Sequence, residues 1–125
     1  ILKAKEASNE PNNQNIIKMK SVEASFYFKD DTILRIFSEE GVYNNRTLDM
    51  VFSRNVNADY EDSKLFAQKA EYSNSENFLQ ISDKVVLNDS RGAFSADKLR
   101  FDISNQTLNI NSYENNKVNV NLNIK

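Results

Sequence analysis

Val56-Asn57-Ala58-Asp59-Tyr60-Glu61-Asp62-Ser63-Lys64-Leu65-Phe66-Ala67-Gln68-Lys69-Ala70-Glu71-Tyr72 is the stretch on which the fold turns. Val56, Ala58 and Tyr60 alternate with Asn57 and Asp59, the two-residue period of a strand with one buried face. Glu61-Asp62-Ser63 supplies turn residues, and Leu65 to Tyr72 runs back. The apolar phase slips between Ala67 and Ala70, which marks a bulge or corner inside the return strand. The same plan recurs 29 residues downstream: Val85 and Leu87, a turn at Asn88-Asp89-Ser90-Arg91-Gly92, then Phe94 to Phe101. It recurs upstream with Tyr27 in the place of Val56, Ile36 in that of Leu65 and Tyr43 in that of Tyr72. The sets Ser38, Ala67, Ala96, then Met50, Leu79, Leu108, then Phe52, Ile81, Ile110 complete the series without a gap.

A fixed period of this length marks one supersecondary unit stacked on copies of itself, each burying its neighbour's apolar face. The rival reading makes two helical turns of Leu65, Phe66, Lys69, Ala70 and Glu71, and again of residues 96–101. Those segments are shorter than a helix normally needs to be stable. The expectation is therefore all-β, with ten to twelve short antiparallel strands in 29-residue repeats. Residues 1–15 are polar, hold the single proline, Pro11, and read as a tether or frayed N-terminus. Residues 16–125 read as one domain. Its last segment, Val118 to Ile124, alternates almost perfectly with asparagine.

Composition narrows the function. The 125 residues carry 16 basic and 18 acidic side chains, with no basic excess of the kind nucleic acid selects. There is no cysteine, so no disulfide framework or thiolate metal site. Histidine is absent as well, which removes the usual proton-transfer group near neutral pH and the commonest metal ligand. No catalytic site, metal or cofactor is expected. Asp30-Asp31 and Asp59-Glu61-Asp62 have the oxygen donors calcium uses, but they fall at turns, where solvated carboxylates are ordinary. The arginines at 35, 46, 54, 91 and 100 are scattered singly and read as solvated surface. No run of 18 apolar residues is present.

The repeating apolar positions define one inner surface: Tyr27, Ile36, Tyr43, Met50, Phe52, Val56, Leu65, Tyr72, Leu79, Ile81, Val85, Leu87, Phe94, Leu99, Phe101, Leu108 and Ile110. Two sheets facing each other with such residues normally close to a packed core about 10 Å thick. Slightly splayed, they leave an apolar trough suited to an acyl chain, at about 0.8 kcal/mol per buried methylene. The stack also has two edges. The C-terminal strand, with Val118, Val120, Leu122 and Ile124, has no charge before Lys125 to protect it and is the candidate for pairing with a partner strand or a second copy.

These phrases resemble a known family. Gly41-Val42-Tyr43-Asn44-Asn45, Asn55-Val56-Asn57-Ala58 and Leu65-Phe66-Ala67-Gln68-Lys69-Ala70-Glu71-Tyr72 are similar to the repeats of the LptC/LptA (OstA-like) lipopolysaccharide-transport superfamily. Lys84-Val85-Val86-Leu87 followed by Gly92-Ala93-Phe94-Ser95-Ala96-Asp97-Lys98-Leu99-Arg100-Phe101-Asp102 repeats the likeness, which covers about Ser21 to Ile110. Within the superfamily the chain looks most like the periplasmic domain of LptC. The resemblance implies an open β-jellyroll in the periplasm whose interior shields lipopolysaccharide acyl chains. It implies a non-enzymatic carrier that receives lipid from an inner-membrane LptB2FG-like ABC transporter and hands it to an LptA-like jellyroll. It further implies an N-terminal membrane helix ahead of this sequence. The alternatives are a soluble LptA-like bridge protein and a structural β-repeat protein with a closed core.

Overall fold

The computed structural model describes residues 1–112 and 118–123, with side chains through residue 110. Nine strands follow one another: β1 (Leu2–Glu10), β2 (Asn13–Tyr27), β3 (Ile33–Asn44), β4 (Met50–Tyr60), β5 (Ser63–Ser73), β6 (Phe78–Asp89), β7 (Gly92–Asp102), β8 (Thr107–Ser112) and β9 (Val118–Asn123). They make one antiparallel sheet in the order β1 to β9, so every strand pairs only with its neighbours in sequence. Residues 65–71 and 96–101, the helical candidates, lie in β5 and β7. The strands are fewer and longer than the ten to twelve expected, because most of them hold two apolar runs joined at a corner.

Those corners crease the sheet. Register shifts by one residue in the middle of the β3–β4, β4–β5, β5–β6 and β6–β7 pairings. The extra residue lies at Arg54-Asn55 on β4 and at Asp83-Lys84 on β6, and all four have positive φ, between 52° and 67°. A bulge of this kind bends its strand and strengthens the local twist. The slip between Ala67 and Ala70 is the corresponding corner of β5. Ser38 and Ala67 are buried on the crease and Ala96 half-buried there, small side chains at the one line where the two halves cannot separate.

The crease divides the sheet into two leaves. The first leaf joins the C-terminal halves of β2, β4 and β6 to the N-terminal halves of β3, β5 and β7. The second leaf joins the complementary halves and continues into β8 and β9. Both leaves turn their apolar residues inward onto one core cluster. One register row of the second leaf reads Met19, Gly41, Phe52, Ala70, Ile81, Leu99, alternating large and small at its start. Phe52, with 0% of its surface exposed, fills the room left by glycine on one side and alanine on the other.

Residues 1–15 are not a tether. Most of them form β1 and the start of β2, with Leu2 opposite Ala24 and packed against the core. An outer strand has almost no buried face, so its sequence lacks the alternation that marks the others. Lys3, Lys5, Glu6 and Glu10 protect this edge with charge. At the other end β9 is outermost, with Val118, Val120 and Leu122 in register with Ser112, Ile110 and Leu108. Ile124 lies outside the described residues.

Candidate functional site

The space between the leaves is the one feature that collects the repeating residues. Ile36, Phe52, Val56, Leu65, Leu79, Ile81, Val85, Leu87, Leu99, Phe101 and Leu108 are buried in it, and Tyr43, Met50, Tyr72 and Ile110 pack against it half-buried. Phe94 is the register partner of Leu87 but is 42% exposed, because β8 pairs only with the second half of β7 and leaves residues 92–97 without a described neighbour on that side.

Tyr27 does not belong to this surface: it is 59% exposed. The structural counterparts of Val56, Ala58 and Tyr60 are Val22, Ala24 and Phe26, which oppose Ser38, Ile36 and Leu34 as the later residues oppose Ala67, Leu65 and Ser63. That offset is 56 − 22 = 34 residues rather than 29, so the first hairpin carries five extra residues. The insertion, residues 28–32, shifts everything upstream of it out of phase. It also explains why Val22, Ala24, Phe26 and Leu34 escape a search at fixed spacing.

The insertion closes the side of the molecule opposite the crease. There the leaf tips meet along a seam. Phe28 stacks on Phe101 with ring centroids 5.6 Å apart and meets Tyr60 edge-on at 5.8 Å. The Gln106 side-chain amide, nearly buried, donates to the Tyr60 hydroxyl at 3.2 Å and to the Asp30 carboxylate at 3.3 Å. Thr32 donates its hydroxyl to Asp30 at 2.5 Å and shares a hydrogen bond with the Tyr60 hydroxyl at 3.1 Å. This group forms a latch of four polar side chains beside three aromatic rings.

The Thr32 hydroxyl, and to a smaller degree the Thr32 amide and the Gln106 amide, hold the Asp30 carboxyl below its ordinary value of 3.8. A depressed carboxyl pKa contributes stability that is complete above the unfolded value and is lost as pH falls through the folded one. The latch therefore stays intact across neutral and mildly acidic conditions. Its contribution is expected to disappear only below about pH 3.8, as an acid titration followed by Tyr60 fluorescence or amide NMR would record. Gln106→Ala, which removes both cross-seam donors, is expected to cost about 1–2 kcal/mol in a urea melt.

Further along the seam, towards β1, the contact thins to one ring pair, Phe26 on Tyr72 at 4.9 Å. Beside it opens a cavity of about 440 Å³, lined by Ile1, Leu2, Ala24 and Phe26 from the first leaf and by Tyr43, Leu48, Met50 and Tyr72 from the second. Small-molecule sites typically occupy roughly 300–1,000 Å³. Burial, and then the Asp49 carboxylate, push the Tyr72 hydroxyl above its ordinary value, so it stays neutral at the rim. Leu48 sits on the lip, 43% exposed and at φ 67°. An exposed leucine in left-handed backbone is unusual. It is held there by Asn44, whose carbonyl accepts from Leu48 N at 2.7 Å and whose side chain accepts from Arg46 N and Thr47 N.

The acidic clusters are spent locally. Asp30 serves the latch, and Asp59 pairs with Lys64 at 3.3 Å. Among the described residues no group of three potential ligands comes together for a metal. What the arrangement offers is an apolar interior, a creased wall that cannot part, and a seam that can.

Comparison with known proteins agrees with this geometry. A search of curated proteins returned no match. Among solved structures, the chain superposes with a TM-score of 0.65 on LptH, the LptA-homologous periplasmic component of the lipopolysaccharide transport device of Pseudomonas aeruginosa. The two share 9% sequence identity, and the match covers 98% of this chain and 92% of that one, so the likeness is one of fold, the open LptA-like jellyroll. The family described as lipopolysaccharide-assembly, LptC-related, matches residues 1–114. A creased meander with an apolar interior, matched along nearly its whole length, thus has its place: the chain belongs to the LptC-related lipopolysaccharide-assembly family, whose role is in lipopolysaccharide transport.

Proposed function

We propose that this chain is a periplasmic carrier that shelters the acyl chains of lipopolysaccharide between its two leaves and passes them onward without chemistry. The observation that supports this most is the apolar cavity at Phe26, Leu48, Met50 and Tyr72, which runs into the buried core rather than ending in a polar pocket. Its lipid-contact residues are the inward repeat positions, without Tyr27. Donor and acceptor would be an inner-membrane ABC transporter of the LptB2FG kind and an LptA-like jellyroll, joined to the chain's outer strands. β1 lies at one end of the stack. At the other lie β9, with Val118, Val120, Leu122 and Ile124, and the uncovered half of β7. Strand pairing at such edges gives affinity through main-chain hydrogen bonds. An N-terminal membrane helix ahead of β1 would anchor the domain.

A structural β-repeat with a closed core is the second reading, favoured by the complete burial of Ile36, Phe52 and Leu79. Photocrosslinking in cells separates the two. A photoreactive residue at Leu79 or Phe101 is expected to capture lipopolysaccharide, while one at Phe66, which is 43% exposed on the outer face, is not. Capture at none of the three, in folded and abundant protein, would leave the interior as ordinary core.

A further inference from the structure

The interior is shut in this conformation. Ile36, Phe52 and Leu79 have no exposed surface, so an acyl chain reaches them only if the leaves separate. The crease cannot part, because six strands run through it covalently. Opening has to occur at the seam, with the crease as hinge. Arg54, Asn55, Asp83 and Lys84 already hold the backbone there in left-handed conformation, outside the regular ladder. A swing about that line moves the leaf tips most.

The seam is not uniform. On the β7–β8 side three rings and the Gln106 amide tie the leaves together. On the β1 side a single ring contact stands next to the cavity. Resting on the carrier reading, we propose that acyl chains of an anionic amphiphile enter sideways through the seam at Phe26 and Tyr72, while the Phe28–Gln106 latch stays closed. The cavity is the first station of an entering chain. Leu48, kept exposed on the lip, makes its first apolar contact, and Arg46, exposed two residues earlier on the same turn, lies where an anionic headgroup would remain in water.

The occupant is an acyl chain, because the lining is apolar on both leaves and continuous with the core. The insertion at residues 28–32 acquires a purpose in this scheme. It confines opening to one end of the seam, so that the molecule gapes without losing its core.

The absence of cysteine makes the test clean. Phe26→Cys/Tyr72→Cys would be bridged by oxidation, or by dibromobimane where the two sulfurs fall short. Asp30→Cys/Gln106→Cys would be bridged in the same way as a lock on the latch side. Each protein carries a photoreactive residue at Leu79 and is offered purified lipopolysaccharide. Bridging residues 26 and 72 is expected to reduce capture at Leu79 at least tenfold, with recovery in an unbridged, reduced sample. Bridging 30 and 106 is expected to leave capture within twofold.

Undiminished capture with residues 26 and 72 bridged would overturn the side entrance while keeping the carrier reading. Loss of capture with either bridge would show that the whole seam opens and would overturn the assignment of a fixed latch. Absence of capture in every reduced sample, with folding verified by circular dichroism, would overturn the carrier reading and the entrance with it.

Discussion

Phe52→Ala is expected to lower the unfolding free energy by about 3–5 kcal/mol, the range for removing a buried aromatic ring. The upper part of that range applies for a local reason. The cost of a large-to-small change depends on how far the surroundings can collapse into the gap. The register partners of Phe52 are Gly41 and Ala70, neither of which has atoms to move inward. A domain of ordinary stability has roughly 5–15 kcal/mol in all. Urea denaturation followed by circular dichroism should therefore show a midpoint far below the parent's. A loss under about 1.5 kcal/mol would mean that the leaves close over the gap, and that the interior is softer than its burial implies.

The second large effect runs in the opposite direction at the neighbouring position. Gly41→Leu places a Cβ 3.0 Å from Val22 Cγ2, 3.3 Å from Met19 Cε and 3.4 Å from the Val51 carbonyl oxygen, before the rest of the side chain is counted. Overpacking a filled core costs about 1–3 kcal/mol. The expectation is the top of that interval or beyond, because one obstacle is backbone. The informative experiment is the double variant. If Phe52 and Gly41 share one volume, Gly41→Leu/Phe52→Ala should be more stable than the sum of the single losses predicts, by about 0.5–3 kcal/mol. Strict additivity would show that the two residues occupy separate spaces.

Much of this architecture was legible in the chain, and the reasons for the rest are physical. Alternation at Val56, Ala58 and Tyr60 announces a strand because one of its faces is buried. The slip between Ala67 and Ala70 announces a corner because the inward face changes parity as β5 crosses the crease. β1 announces nothing, since an outer strand has little to bury. Tyr27 was misplaced because a five-residue insertion is invisible to a fixed period, although Val22, Ala24 and Phe26 show the right alternation once the phase is released. The latch was beyond reach. Nothing in the neighbourhood of Gln106 or Asp30 marks them as partners 76 residues apart. The sequence suggested solvent for both, and only the closing of the seam brings them together.

The strand order has a consequence for size. Because each strand pairs only with the next, a 29-residue unit could be duplicated or removed between β4 and β7 without rerouting any connection. Each such unit adds two strands, and neighbouring strands lie about 4.8 Å apart, so reach would change in increments of about 10 Å. The molecule is in this respect a ruler graduated in hairpins. The distance it spans is set by how many it contains, independently of what travels between its leaves.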